Sequence, residues 1–223
     1  MRIRRLVVVP AVVLGIAGIV ACDDDGGGLD DAYCQARIDL ETAGVQEDPA
    51  ALEDAATALE DNAPSDLEDQ STTVANAFRD GTFFDDPQAQ ADGREISEAV
   101  YDDCGFEQVE VSGLDFSFEG IPDEIDAGDV AFQFTNDGVE PHEMAIVRIN
   151  DDVDESIDEI LELPRREAEG LVTEEGGTFA EPGDTDYSVT NLDSGSYAML
   201  CFVETDEGIP HVAEGMVYPF EVT

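Results

Sequence analysis

Apolar residues recur along this chain with two different periods, and the change falls near Phe106. Before it the spacing is helical. Asp48 followed by Pro49 supplies a cap and a proline at the first helical position, and Leu52, Ala55, Ala56 and Leu59 then share one face. Ser65 with Glu68 has the form of a capping box opening a third segment, with Leu67, Val74 and Phe78 on one face. Asp86-Pro87 opens a fourth that runs to Tyr101, and Asp31 to Ala43 forms the first, carrying Tyr33, Ala36 and Leu40. Four such segments predict an antiparallel up-down bundle, which sets the start of the first beside the end of the last.

Beyond Phe106 the apolar positions alternate. Val109-Glu-Val111, Leu114-Asp-Phe116-Ser-Phe118, Val130-Ala-Phe132-Gln-Phe134, Met144-Ala-Ile146-Val147, Tyr187-Ser-Val189, Tyr197-Ala-Met199 and Val217-Tyr-Pro-Phe220 are short runs of period two. Gly128-Asp129, Asn136-Asp137-Gly138, Pro182-Gly183-Asp184 and Ser194-Gly195 punctuate them as turns. About seven such strands predict an antiparallel sandwich. Asp151 to Leu163, with Val153, Ile157, Ile160 and Leu161, reads as a short inserted helix that ends near Pro164. The expected fold class is therefore α+β by domain, a helical bundle over 31–106 followed by a β-sandwich over 107–223.

Residues 1–21 have a different character. Arg2, Arg4 and Arg5 precede an apolar run from Leu6 to Val20, and Ala21 stands directly before Cys22. That layout is an export signal rather than a permanent membrane helix. Ile19-Val20-Ala21-Cys22 resembles the lipobox of bacterial lipoproteins, in which the cysteine becomes the lipidated N-terminus. It departs from the usual pattern at Ile19 and Val20, and a plain secretory signal is the other reading. Residues 22–30, rich in Asp and Gly, read as a flexible tether. The expected location is the cell surface or the outer face of the cytoplasmic membrane, with attachment through lipid on Cys22.

Charge narrows the partners. The chain carries 55 acidic residues against nine basic ones, for a formal net charge of −46. Such a surface repels nucleic acid, whose phosphates require cationic side chains. The acids run through both halves, as expected of a surface adapted to high salt. An acidic docking patch for a basic partner is the alternative. In the helical half the acids form a solvated face. That half contains no histidine and no Glu-x-x-His pair for a di-iron site. It resembles helical modules that precede other domains in bacterial lipoproteins and end in a Cys-Gly-Phe like Cys104-Gly105-Phe106.

The cysteines carry the chemistry. There are four. With Cys22 assigned to lipid, Cys34 and Cys104 stand at the two bundle ends that the topology brings together, and an exported setting favours a disulfide between them. Cys201 is left over. The sequence has two histidines, His142 and His211, both in the β half. From Cys201, nine residues lead to His211 and four more to Met216. Two imidazoles, a thiolate and a weak thioether make up the ligand set of a type 1 copper centre. Singly, each residue has a plainer reading: a surface histidine, a core methionine, a buried inert thiol. Their joint occurrence favours the metal.

At these residues the chain resembles the cupredoxin family, which includes plastocyanins and azurins. Thr135-Asn-Asp-Gly-Val-Glu-Pro-His142 is similar to the turn that presents the family's first histidine. Ser194-Gly-Ser-Tyr-Ala-Met-Leu-Cys201 is similar to its strand running into the cysteine, and His211-Val-Ala-Glu-Gly-Met216 to its closing His-x4-Met. The resemblance covers roughly residues 108 to 223. It implies a Greek-key sandwich of cupredoxin type holding one type 1 copper ion. His142, Cys201 and His211 would be the strong ligands and Met216 the axial one. The Cys-to-His loop is longer than in plastocyanins and closer to that of copper nitrite reductases. Glu143 stands where the family often has a neutral residue, and its carboxylate is expected to point away from the metal.

Two histidines leave none for a second, catalytic copper, so an enzyme is not expected. The expected function is a surface-anchored carrier of single electrons between redox protein partners. Ile209, Pro210, Val212 and Ala213, around a histidine expected to be exposed, are the candidate docking ring; packing beneath the site is the alternative. The competing class is a binding module, for copper uptake and sequestration or for a protein partner. Met144 and Met199 are the remaining methionines outside the leader, which is not the Met-rich pattern of copper traffickers.

Overall fold

Three of the four N-terminal helices begin where an aspartate caps the backbone. The computed structural model describes residues 28–223; the leader, Cys22 and most of the tether lie outside the described residues. Asp30 caps α1 (Asp31–Val45), Asp48 caps α2 (Pro49–Asp61), and Asp86 caps α4 (Pro87–Asp103); each accepts the N–H of the residue two positions on. Pro49 and Pro87 start their helices as the sequence predicts. The capping box at Ser65 does not form. Instead α3 (Glu68–Asp80) begins at Leu67, which has no side-chain cap and is buried in the bundle. Burial of that leucine outweighs a cap worth about 1 kcal/mol. Successive helices pack on one another, and a disulfide joins Cys34 to Cys104 with Cα atoms 5.9 Å apart.

The second half is a sandwich of two sheets. One orders its strands β2 (Ser117–Glu119), β1 (Glu107–Leu114), β4 (Gly128–Asn136) and β7 (Thr185–Leu192). The other orders them β3 (Glu124–Ile125), β9 (Val217–Val222), β8 (Gly195–Leu200), β5 (His142–Ile149) and β6 (Val172–Ala180). Pairing is mixed rather than purely antiparallel, because β1 runs parallel to β4 and β3 parallel to β9. The expected strand from Leu114 to Phe118 is split by a turn in which Phe116 has φ 65°. The inserted helix is shorter than expected: α5 (Ile157–Leu161) and α6 (Arg165–Ala168) lie on either side of Pro164. A capping box does occur here, between Ser156 and Glu159.

Alternation along β4 explains how the halves join. Val130, Phe132 and Phe134 face the sandwich core, whereas Ala131 turns outward and shares a core with Tyr33, Ile38, Ile96 and Val100 of the helices. Tyr187 and Val189 of β7 do the same. The bundle therefore sits on the outer face of the four-stranded sheet. Glu41 of α1 completes the junction. Its buried carboxylate accepts the Ser188 hydroxyl and the N–H groups of Val189 at 3.2 Å and Gly177 at 3.3 Å, and pairs with Arg37 at 2.9 Å. Among the described residues no helix is long and apolar enough to cross a membrane.

Candidate metal centre

His142 opens β5 directly after a loop that the sequence organises closely. The fully buried Asn136 side chain donates to the carbonyls of Glu140 at 2.9 Å and Ala180 at 2.8 Å, and accepts the Gly138 N–H at 2.9 Å. These bonds fold residues 136–141 back so that Pro141 delivers an extended chain to His142. Asp115, from the turn between β1 and β2, accepts the Val139 N–H at 2.9 Å. That bond, a second from the Glu140 N–H at 3.4 Å, and then the His142 ring hold the Asp115 carboxyl below its ordinary range.

Cys201 follows β8, and His211 begins a short 3-10 turn, His211–Glu214, that ends at Gly215 with φ 106°. The two ligands are tied together by backbone bonds. Val212 N–H donates to the Cys201 carbonyl at 2.8 Å, His211 N–H to Val203 at 2.8 Å, and Cys201 N–H to Met216 at 3.3 Å. The long intervening loop closes on itself, with Thr205 N–H donating to Ile209 at 2.9 Å and Gly208 N–H to Thr205 at 2.8 Å. The extra loop length is thus a small hairpin closed by its own backbone bonds and a bridge between Glu204 and Pro210.

The structure brings His142, Cys201 and His211 together. All three are buried, and one donor atom from each lies within 4.8 Å of the others. His142 Nδ1 stands 3.1 Å from His211 Nδ1, and Cys201 Sγ stands 3.5 Å from the same His211 nitrogen. Met216 is buried in the same core cluster as Cys201. Burial, and then the neighbouring His211 ring, pushes the His142 pKa down, against Asp115 and Glu140, which raise it. A neutral imidazole with a free lone pair is the form that binds metal. Burial pushes the Cys201 thiol up, partly offset by the Glu143 N–H that it accepts at 3.3 Å.

This donor set fits a mononuclear type 1 copper site. Two nitrogens and one sulfur from buried side chains converge, as the trigonal His2Cys arrangement requires. Two donors about 2.0 Å from a shared ion stand roughly 3.5 Å apart at trigonal angles, close to the separations observed.

Three surroundings were not foreseen. The His211 ring is fully buried rather than exposed, because the Glu140 carboxylate covers its Nε2 at 2.9 Å. Glu143 is not one of the clustered donors, and its carboxylate does not stand in open solvent. It accepts the Phe202 N–H at 3.2 Å, and burial raises its pKa. The docking ring is divided: Ile209 and Ala213 are exposed, Pro210 is half-buried, and Val212 packs against Val147, Ile157, Ala198 and Leu200. Val139 and Phe202, immediate neighbours of the ligand loops, are the exposed apolar residues that sequence reasoning missed. Their proximity in sequence to His142 and Cys201 was the available signal.

No protein-family model matches the sequence, and no curated protein does. Among solved structures the chain is similar to a dithionite-reduced auracyanin from Roseiflexus castenholzii, at 21% identity over 52% of this chain and 96% of that one, with a TM-score of 0.36. It is also similar to reduced rusticyanin, at 21% identity over 52% and 80% of the two chains, with a TM-score of 0.33. A third likeness is to the McoA multicopper oxidase of Aquifex aeolicus, at 15% identity over 53% of this chain and 30% of that one, with a TM-score of 0.33. These likenesses are too distant to assign chemistry, which rests on the donor set itself. What fold and site define, among the described residues, is a two-sheet β-sandwich with one His-Cys-His cluster able to hold a metal.

Proposed function

We propose that this chain is an exported mononuclear copper protein that carries single electrons. The observation that carries the reading is the convergence of His142, Cys201 and His211, the two histidines of the sequence and the one free cysteine among the described residues. Bound copper would supply a one-electron couple between Cu(I) and Cu(II). The chain supplies the rest. Its imidazoles and thiolate suit both oxidation states, and the backbone bonds that link Cys201, His211 and Met216 keep the ligands from rearranging between them. Burial excludes water from the donors.

Several features support this reading over a copper store or an enzyme. No histidine is left for a second copper. Val139, Phe202 and Ile209 are exposed apolar residues on the loops that carry the ligands, a surface suited to brief contact with a redox partner. The disulfide supports an oxidising, extracytoplasmic setting, and Cys22 is the candidate lipid anchor. The acidic surface is read as salt adaptation.

The test is direct. The mature chain loaded with Cu(II) is expected to show intense thiolate-to-copper charge-transfer absorption, and Cys201→Ser to abolish it. A colourless wild type that retains no copper sinks the proposal. Reversible voltammetry separates a carrier from a sequestering module, which would hold one oxidation state irreversibly.

A further inference from the structure

Each candidate histidine ligand has a carboxylate beside the nitrogen that faces away from the cluster. His211 Nε2 lies 2.9 Å from Glu140 Oε2, and His142 Nε2 lies 3.4 Å from Asp115 Oδ1. A carboxylate only accepts, so the ring hydrogen belongs on Nε2 of His211, and the Asp115 charge favours the same tautomer of His142 without an aligned bond. The lone pairs are then left on the Nδ1 atoms, which face each other at 3.1 Å. Two lone pairs so close repel unless they share a proton or a metal ion. The outer carboxylates thus prepare the inner face for one.

We infer that Glu140 and Asp115 are positioning residues of the metal centre: they set the tautomer and orientation of His211 and His142, and their charge favours Cu(II) over Cu(I). The inference rests on the copper reading above.

The surroundings support it independently. Asp115 Oδ1 also accepts the N–H groups of Val139 at 2.9 Å and Glu140 at 3.4 Å, so one carboxylate orders the loop that carries the other. A Cβ on Gly138 would lie 2.6 Å from both Asp115 Oδ1 and His142 Nε2, so any larger residue there would force the pair apart. Phe116, next to Asp115, sets its ring at a steep angle to His211 with centroids 5.1 Å apart. The two carboxylates are not equal. Glu140 makes an aligned hydrogen bond, whereas His142 Nε2 is buried and finds no aligned acceptor. Glu140 therefore carries the larger share.

The experiment compares the mature chain with Glu140→Leu, Glu140→Gln and Asp115→Asn, each loaded with Cu(II) and titrated against a competing chelator. Outer partners of metal-bound histidines typically contribute about 10–100-fold in metal affinity, and that loss is expected for Glu140→Leu, with an altered charge-transfer band. Glu140→Gln keeps an acceptor and loses the charge. It should hold affinity within about tenfold and raise the reduction potential, by about 59 mV for each tenfold loss of preference for Cu(II). Asp115→Asn should move the potential the same way by less. Metal-free melting temperatures should stay at the wild-type value.

Wild-type affinity and potential in both Glu140 variants, with a coloured wild type, would overturn the inference alone. So would a loss of copper matched by a lower metal-free melting temperature, which would make the role merely structural. A colourless wild type would overturn the copper reading and this inference with it.

Discussion

Glu41 and the His142–Cys201–His211 cluster are both buried and polar, yet they are assembled in opposite ways. Around Glu41 the donors point inward to an acceptor: two backbone N–H groups, a hydroxyl and a guanidinium converge on one carboxylate. In the histidine cluster the acceptors point inward, at one another, and the carboxylates stand outside. The first arrangement satisfies its carboxylate within the protein, and the second sets two ring nitrogens where they can share a proton or a metal ion. Burial and polarity alone do not mark a functional site; the direction of the lone pairs does.

The contrast can be broken by experiment. On the junction side the largest effect should come from the disulfide, which closes a separation of 70 residues. Chain entropy puts its loss at about 4 kcal/mol, read as a lower denaturant midpoint for Cys34→Ser with Cys104→Ser. Next is Glu41→Ala, which leaves the half-buried Arg37 without its ion-pair partner and should lower unfolding free energy by about 3 kcal/mol. Copper affinity should be unchanged. The reverse is expected of Cys201→Ser, with the thiolate-copper band lost and metal-free stability within about 1 kcal/mol of wild type. If the Glu41 variant loses copper binding, the two clusters are not independent.

The smallest effect concerns Asp186 of β7, beside Arg94 of α4 at 3.4 Å. Burial raises its pKa above the ordinary value, against the Tyr187 N–H and Arg94, which lower it. The folded state therefore holds its proton to higher pH than the unfolded state, and stability falls as pH rises from about 3.8 through the raised value. Asp186→Asn should stabilise at neutral pH, with the gain vanishing in acid. Thermal melts at pH 3 and 7 check this; equal gains at both would refute it.

Much of this architecture was legible in the residues. Asp48-Pro49 and Asp86-Pro87 marked their helices because capping chemistry is local, and alternation marked β4 because one of its faces is packed with aromatics. The ligands were legible through scarcity: two histidines and one unassigned cysteine leave few combinations. Glu140 and Asp115 were not, because 55 acidic residues give no individual signal. Strand β6 escaped because Val172-Thr-Glu-Glu-Gly-Gly-Thr-Phe-Ala lacks alternation. Its glycines serve close approach instead: a Cβ on Gly177 would lie 2.6 Å from the Met144 carbonyl oxygen, and one on Gly176 3.0 Å from the Glu41 carboxylate. The seating of the bundle on the sheet was equally hidden, since Ala131 and Glu41 declare their burial only through long-range contacts.

Those contacts have a kinetic side. Glu41 lies 147 residues before Ser188, and its other sheet partners, Gly177 and Val189, are comparably distant. The first helix of the bundle is synthesised early but cannot seat its carboxylate until β6 and β7 exist. Contacts of such separation slow folding, because long loops must close before they are rewarded. A chain exported unfolded would therefore finish its oldest segment last, and the docking of α1 on β7 would report that the sandwich beneath it is already in place.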